Sequence, residues 1–372
     1  MNYRLKLFTW LEIPVFVHWS FSLIVVYVLF ETYSQNNNWL EALWGLLFVL
    51  CVFLCVLLHE YGHALAAKRY GISTSDITLL PIGGLARLKR IPEEPSRELV
   101  VAAAGPFVNL LIAIVLFPII YFFRKNGFGL SSRGISFSGD FLFLLLQMNL
   151  LLIAFNLIPA FPMDGGRMLR AIIAFFTNRV SATDIAAGIG KGIAVIFIAK
   201  GFGVLPGILP MLESPFMVLI GLFVISSATS EQQMVKLMGR TKGLTVRDMM
   251  IPEIHYLAER SSIQEAAQLS NQFPGHDLLV LDMNRQLVGM LPKSKIEAAL
   301  KANQAQESVS QHMIREYTMA RITDQLKDAY LFMQKRRINA LPVFDEGQLV
   351  GMLYFQPLQQ LIKKGNKKPD QA

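Results

Sequence analysis

Two histidines and a glutamate interrupt an apolar run: Leu57-Leu58-His59-Glu60-Tyr61-Gly62-His63-Ala64-Leu65. Residues four apart stand one above the other on a helix. His59 and His63 can therefore offer imidazole nitrogens to one zinc ion, with Glu60 beside them as a base. Between Glu41 and Lys68 the chain carries no other Asp, Glu, Lys, Arg or His. A run of that length crosses a bilayer at about 1.5 Å per residue. Ionisable groups at such depth are costly enough to mark a functional site.

Two imidazoles leave a tetrahedral zinc short of a protein ligand, with a further position for water. The candidate is Asp164, within Asn156-Leu157-Ile158-Pro159-Ala160-Phe161-Pro162-Met163-Asp164-Gly165-Gly166-Arg167. Two prolines interrupt the apolar span there, and two glycines let the backbone come close to a neighbour. His63 lies five residues before Lys68, and Asp164 three before Arg167, so both fall near one membrane face. His59 then lies roughly 14 Å inside that face at the helical rise. The competing reading of Asp164 is an N-cap for the helix that follows it.

The chemistry this predicts is metal-assisted hydrolysis, with one Zn2+ per chain lowering the pKa of a bound water and polarising a peptide carbonyl. Glu60 takes the water proton and returns it to the leaving amine. Asn156 and Asn109 are candidate amides for the oxyanion. The competing reading of Asn156 is that it satisfies backbone groups freed by Pro159. Thr78–Arg87 is apolar, broken by Pro81, Gly83 and Gly84, and too short to span. It predicts a re-entrant strand, with Gly83 and Gly84 at a substrate-binding edge where an unwound peptide pairs. Gly105 reads as a helix-packing residue and Cys55 as small apolar packing. His18 reads as structural or gating, and His255, His276 and His312 as surface residues.

The elements that must position these groups are membrane helices. Of 372 residues 53% are hydrophobic and 17% charged, with mean hydropathy +0.42, and the apolarity ends near Thr229. Six spans are predicted: roughly 14–31, 40–67, 99–123, 141–158, 183–205 and 216–229. Met1–Glu12 is basic without a small-residue cleavage site, which predicts a retained first helix rather than a signal peptide.

The net charge of +8 comes from Lys and Arg at span ends, not from a basic stripe with interleaved aromatics, which excludes nucleic acid as a partner. Arg4, Lys6, Lys68, Arg69, Arg87, Lys89, Arg90, Arg97, Arg167, Arg170, Arg179 and Lys191 all map to one side. That side is the cytoplasm, with both termini inside. Arg124, Lys125 and Arg133 oppose the pattern. Cys51 and Cys55, four apart on one helix, do not favour a disulfide.

After Thr241 a soluble repeat begins. Val246-Arg247-Asp248-Met249-Met250-Ile251 is echoed by Val309-Ser310-Gln311-His312-Met313-Ile314, and Gln286-Leu287-Val288-Gly289-Met290-Leu291 recurs as Gln348-Leu349-Val350-Gly351-Met352-Leu353. Each copy reads strand, helix, strand, tight turn, strand, helix. At about 60 residues each is too small to bury a generous core alone, so the copies should pack on each other. The expected fold is thus a polytopic α-helical membrane domain of about six transmembrane helices with a re-entrant β element, 1–240, plus a soluble α/β pair, 241–302 and 303–372, the latter with a basic tail.

The motifs resemble those of the site-2 protease family of intramembrane zinc metalloproteases, in its branch with C-terminal cystathionine-β-synthase (CBS) domains. The likeness rests on His59-Glu60-x-x-His63, Pro81-Ile82-Gly83-Gly84, Ala104-Gly105-Pro106-x-x-Asn109, Asn156 through Asp164-Gly165-Gly166, and Pro14-Val15-Phe16-Val17-His18-Trp19, in the family's order. It implies an endopeptidase that cleaves membrane-embedded or membrane-associated regulators, as sporulation proteases do with a pro-sigma factor. The implied place is the bacterial cytoplasmic membrane, multi-pass within the lipid bilayer, with CBS domains inside.

Nucleotide-binding CBS domains follow the Gly-hydrophobic-hydrophobic turn with Thr or Ser and then Asp. Here Pro292 and Lys295, and in the second copy Tyr354 and Pro357, stand instead. A nucleotide ligand is therefore not expected, and the pair is read as dimerising or docking a partner. The alternative function is a CBS-regulated transporter or channel. Such proteins often carry paired inverted repeats and several intramembrane charges, and neither is present here.

Overall fold

The structure is a computed structural model. It describes residues 4–81, 83–88, 92–125, 137–204, 214–273, 277–284, 286–315 and 317–364. Ile82, Lys89, Arg90, Arg133, His276, Arg285 and the basic tail from 365 lie outside the described residues. The chain forms two compact units, Met1–Gln233 and Met234–Ala372.

The first unit opens with strands where a helix was expected. β1 (Arg4–Trp10) and β2 (Ile13–His18) form an antiparallel hairpin, and only then does α1 (Phe21–Asn36) begin. The expected first span, 14–31, therefore fails over residues 14–20, about two helical turns. Ile13 and Val15 alternate inward, both buried, while β-branched and aromatic neighbours suit the pleat. Hydropathy alone does not separate such a strand from the helix it precedes.

α2 (Trp39–Arg69) is a 31-residue helix free of proline, capped by the Asn38 side chain accepting from the Leu40 N–H at 2.9 Å. Glu41 in its first turn and Lys68 and Arg69 in its last complement the helix dipole. The chain returns through β3 (Thr74–Leu80) and β4 (Gly83–Leu88), completing a sheet of order β1-β2-β3-β4. β2 and β3 run parallel, β3 and β4 antiparallel. The expected re-entrant strand is thus a hairpin, and β4 is its sheet's edge. α3 (Pro95–Lys125), α4 (Phe137–Asn156), α5 (Asp164–Ala174), α6 (Arg179–Gly201) and α7 (Pro215–Arg240) follow.

Four helices, α2, α3, α6 and α7, are long and apolar enough to cross a membrane among the described residues, and α4 offers a shorter apolar stretch, Asp140–Asn156. α1 spans 16 residues. The multi-pass helical membrane fold stands, with four full-length spans where six were expected.

α2 is the axis of this unit. Its Leu57, Tyr61 and Ala64 face the sheet and share a core with Ile13, Val15, Ile77 and Leu79. At about 100° per residue His59 and His63 point the opposite way, toward α3, and Glu60 falls between the two faces.

The second unit contains two similar halves: β5 (Tyr256–Ala258), α8 (Ile263–Gln272), β6 (Leu278–Leu281), β7 (Leu287–Leu291) and α9 (Lys293–Lys301), then α10 (Val309–His312), β8 (Ala320–Arg321), α11 (Leu326–Arg336), β9 (Ala340–Asp345), β10 (Gln348–Tyr354) and α12 (Phe355–Lys364). The leading segments are exchanged. Val246 is fully buried in the core of Ala320–Leu361, while Val309 and Met313 complete the core of Leu257–Ala299. Ile251 bridges to Met352 and Ile314 to Met290, so each lead-in segment pairs with the other half's sheet. His255 and His312 are half-buried rather than on the surface. The His255 ring stacks on Phe273 with centroids 3.5 Å apart, and His312 Nε2 lies 2.8 Å from Glu307.

Candidate metal centre

His59 and His63 approach through Nε2 at 3.1 Å, one turn apart on α2. After α4 the chain turns back over residues 157–163 and delivers Asp164 as the first residue of α5. Gly165 and Gly166 permit this, because a Cβ on Gly165 would stand 2.4 Å from the Leu157 carbonyl oxygen. Asp164 Oδ2 then lies 3.2 Å from His59 Nε2 and 3.1 Å from His63 Nε2, all three residues buried. The N-cap position belongs to Met163, so the carboxylate is not spent on the helix end.

The far side of each imidazole is fixed. His59 Nδ1 faces the Asn109 side-chain oxygen at 2.6 Å, and His63 Nδ1 faces the Val101 carbonyl at 2.7 Å. Both partners are acceptors, so each Nδ1 carries the proton and each Nε2 presents a lone pair inward. Two lone pairs and a carboxylate oxygen at this separation repel unless a metal cation, or a proton on an Nε2 shared with Asp164, stands among them. A tetrahedral zinc with bonds of about 2.0–2.1 Å needs edges of about 3.3 Å, close to those found. Two imidazoles and one carboxylate are a zinc donor set, so these residues fit that ion.

Glu60 stands at the border with the sheet. Its Oε2 accepts from the Ala86 N–H of β4 at 2.9 Å. Gly84 makes room for it, since a Cβ there would lie 2.6 Å from Glu60 Cγ. Gly83 is at φ +139, at the start of the strand.

Both polar atoms of the Asn109 side chain are engaged by neighbouring side chains. Its oxygen is taken by His59, its Nδ2 donates to Asn149 Oδ1 at 2.9 Å, and the residue is fully buried. Asn149 in turn donates to the Leu145 carbonyl and to Cys55 Sγ. Asn156 is half-buried at the end of α4 and makes no hydrogen bond with His59, Glu60, His63 or Asp164 among the described residues. His18 Nδ1 pairs with its neighbour Ser20 at 2.6 Å.

Three contributors were not foreseen. The Val101 carbonyl and Asn149 left only faint signals, the latter as a polar residue inside an apolar span. Gly105 does more than let helices pack, because a Cβ there would lie 2.3 Å from His63 Nε2 and 2.6 Å from His59 Nε2. The backbone of α3 thus presses directly on the imidazole pair.

Comparison with known proteins shows the family. Residues 47–134 and 130–199 match the profile of peptidase family M50, and residues 309–356 match the CBS domain. The chain is 37% identical over 295 residues to a zinc metalloprotease of Methanocaldococcus jannaschii, covering 78% of each chain. It is 29% identical over 368 residues to a relative from Synechocystis sp., covering 95% of this chain and 94% of the other. A solved site-2 protease from Methanocaldococcus jannaschii is similar at 36% identity and a TM-score of 0.44, over 62% of this chain and 95% of that one. These matches do not favour a transporter. The chain belongs to peptidase family M50, the site-2 proteases.

Proposed function

We propose that His59, His63 and Asp164 hold the catalytic zinc of this intramembrane endopeptidase and that Glu60 is its general base. The convergence of three buried acceptors at 3.1–3.2 Å carries this reading. When bound, zinc supplies Lewis acidity to a water and to the scissile carbonyl.

The remaining work falls to the chain's own groups. Ala86 fixes Glu60 Oε2, which leaves Oε1 to take a proton from water and pass it to the leaving amine. Strand residues alternate in the direction of their backbone groups, so Gly84 turns its N–H and C=O the same way as Ala86. That is the open edge of the sheet, beside Glu60. A substrate helix hides its carbonyls in hydrogen bonds, and pairing with β4 after unwinding replaces those bonds. Asn109 orients His59, which leaves Asn156 as the side-chain amide for the oxyanion.

The substrates are membrane proteins, and we assign them to membrane-tethered regulators released or degraded by cleavage. The protein lies in the cytoplasmic membrane with both termini and the CBS pair inside, in keeping with the charge bias of its loops. The second unit, divided at about residue 302, serves as a docking or dimerising module. The ribose-gripping positions carry Pro292, Lys295, Tyr354 and Pro357, and Tyr354 is buried in the core with Met290 and Met352.

Glu60→Gln tests the central claim. The variant should bind zinc and fold as the wild type does, yet fail to cleave a membrane-tethered reporter. Cleavage at the wild-type rate would end the assignment.

A further inference from the structure

Arg170 is the largest fully buried side chain of the described residues, and the hydrolytic chemistry makes no use of it. It lies on α5, six residues after Asp164. It donates through Nε, at 2.9 Å, and through Nη2 to Oε1 of Glu98. Through Nη1 it reaches Oε1 of Glu231 on α7, and its guanidinium lies over the Phe161 ring, 5.1 Å from the centroid. Arg179, at the start of α6, stands 3.6 Å from the same Glu98 oxygen.

Taking these charges out of water is expensive, and a buried ion pair often stabilises no better than apolar side chains of the same volume. What such a pair does supply is a fixed geometry between the elements it joins. Its location here gives that geometry a use. Glu98, Val101, Gly105 and Asn109 follow one another along α3 at spacings of three, four and four, a single helical stripe. Val101 holds His63, Gly105 presses on both imidazoles and Asn109 holds His59. Glu98, one turn before Val101, holds the helix that carries Asp164. Through Phe161 the guanidinium also touches the turn that leads into that aspartate.

Resting on the ligand assignment above, we infer that Arg170 is a positioning residue. Its ion pair with Glu98 sets the distance between the Asp164 carboxylate and the imidazole pair, and so the affinity of the site for zinc.

The test is a double-mutant cycle on the full-length protein in detergent, reading zinc affinity by competition with a chelator of known strength. Wild type, Arg170→Lys, Asp164→Ala and the double variant are compared. Arg170→Lys keeps the charge but loses the fork that grips Glu98. It should weaken zinc binding by about tenfold to a hundredfold, the range seen when a ligand's support is removed. In the Asp164→Ala background the same change should cost nothing further, because the ligand it positions is gone.

Arg170→Lys binding zinc as tightly as wild type, with only a lower melting temperature of the zinc-free protein, overturns the inference. So does an equal loss in both backgrounds. Asp164→Ala binding zinc as wild type does would instead remove the ligand assignment, and the inference with it. If Arg170→Lys yields no folded protein, Glu98→Asp, which keeps the pair with a shorter arm, goes through the same cycle with the same expectations.

Discussion

The side-chain oxygen of Asn109 lies 2.6 Å from Nδ1 of His59, fifty residues earlier in the chain, and the amide of Asn109 is in turn spent on Asn149. One helix therefore carries the proposed ligand and another holds its proton in place. An acceptor at this position raises the basicity of the coordinating nitrogen and fixes the ring plane.

Asn109 is expected to act through an acceptor and not through an amide donor. Asn109→Asp retains the oxygen facing His59 and should hold zinc close to wild-type strength. Asn109→Leu, similar in size, should weaken it by about tenfold to a hundredfold. Chelator competition on both variants measures the difference. Equal affinities would show that His59 needs no support from this side.

Some of this arrangement was visible in the residues themselves. The pair His59 and His63 needs only helical spacing, and Asp164 was reachable because it lies three residues before Arg167 much as His63 lies five before Lys68, each close to a cation that marks the same membrane face. The role of Asn109 was not, since a sequence shows that an amide lies in a membrane span but not which way it points. The N-terminal hairpin was missed because Ile13–His18 is apolar and runs into α1, and its strand character depends on pairing with Ile77–Leu79 more than fifty residues away. Arg170 was read as a loop cation marking a membrane face. Its partners Glu98 and Glu231 are 72 and 61 residues distant, and no local pattern connects them.

Gly105 offers a separation of folding from metal loading. An added methyl would sit 2.3 Å from His63 Nε2 and 2.6 Å from His59 Nε2, where something must shift. Alanine is favoured over glycine in a helix by about 1 kcal/mol. Overpacking costs about 1–3 kcal/mol, which the helix gain offsets in part, so Gly105→Ala should lower the melting temperature of the zinc-free protein by a few degrees at most, while abolishing the rise that added zinc gives the wild type. Thermal scans with and without zinc check both halves. A full zinc-dependent rise in the variant would mean that the α3 backbone does not press on the imidazoles.

The exchange of lead-in segments in the second unit makes an inverted expectation about where damage spreads. Val246 precedes the first repeat in sequence but is fully buried among Ala320, Leu326, Val343 and Leu358 of the second. Val309 precedes the second repeat but is buried among Ile263, Leu278 and Leu291 of the first. A carboxylate forced into either core lacks a partner and destabilises the half it enters. Val246→Asp should accelerate backbone hydrogen exchange first in 320–361, and Val309→Asp first in 257–299. Mass spectrometry of the full-length chain after exchange resolves the two regions. If each substitution instead loosens the repeat that follows it in sequence, the halves fold independently and the exchange of segments plays no part in their stability.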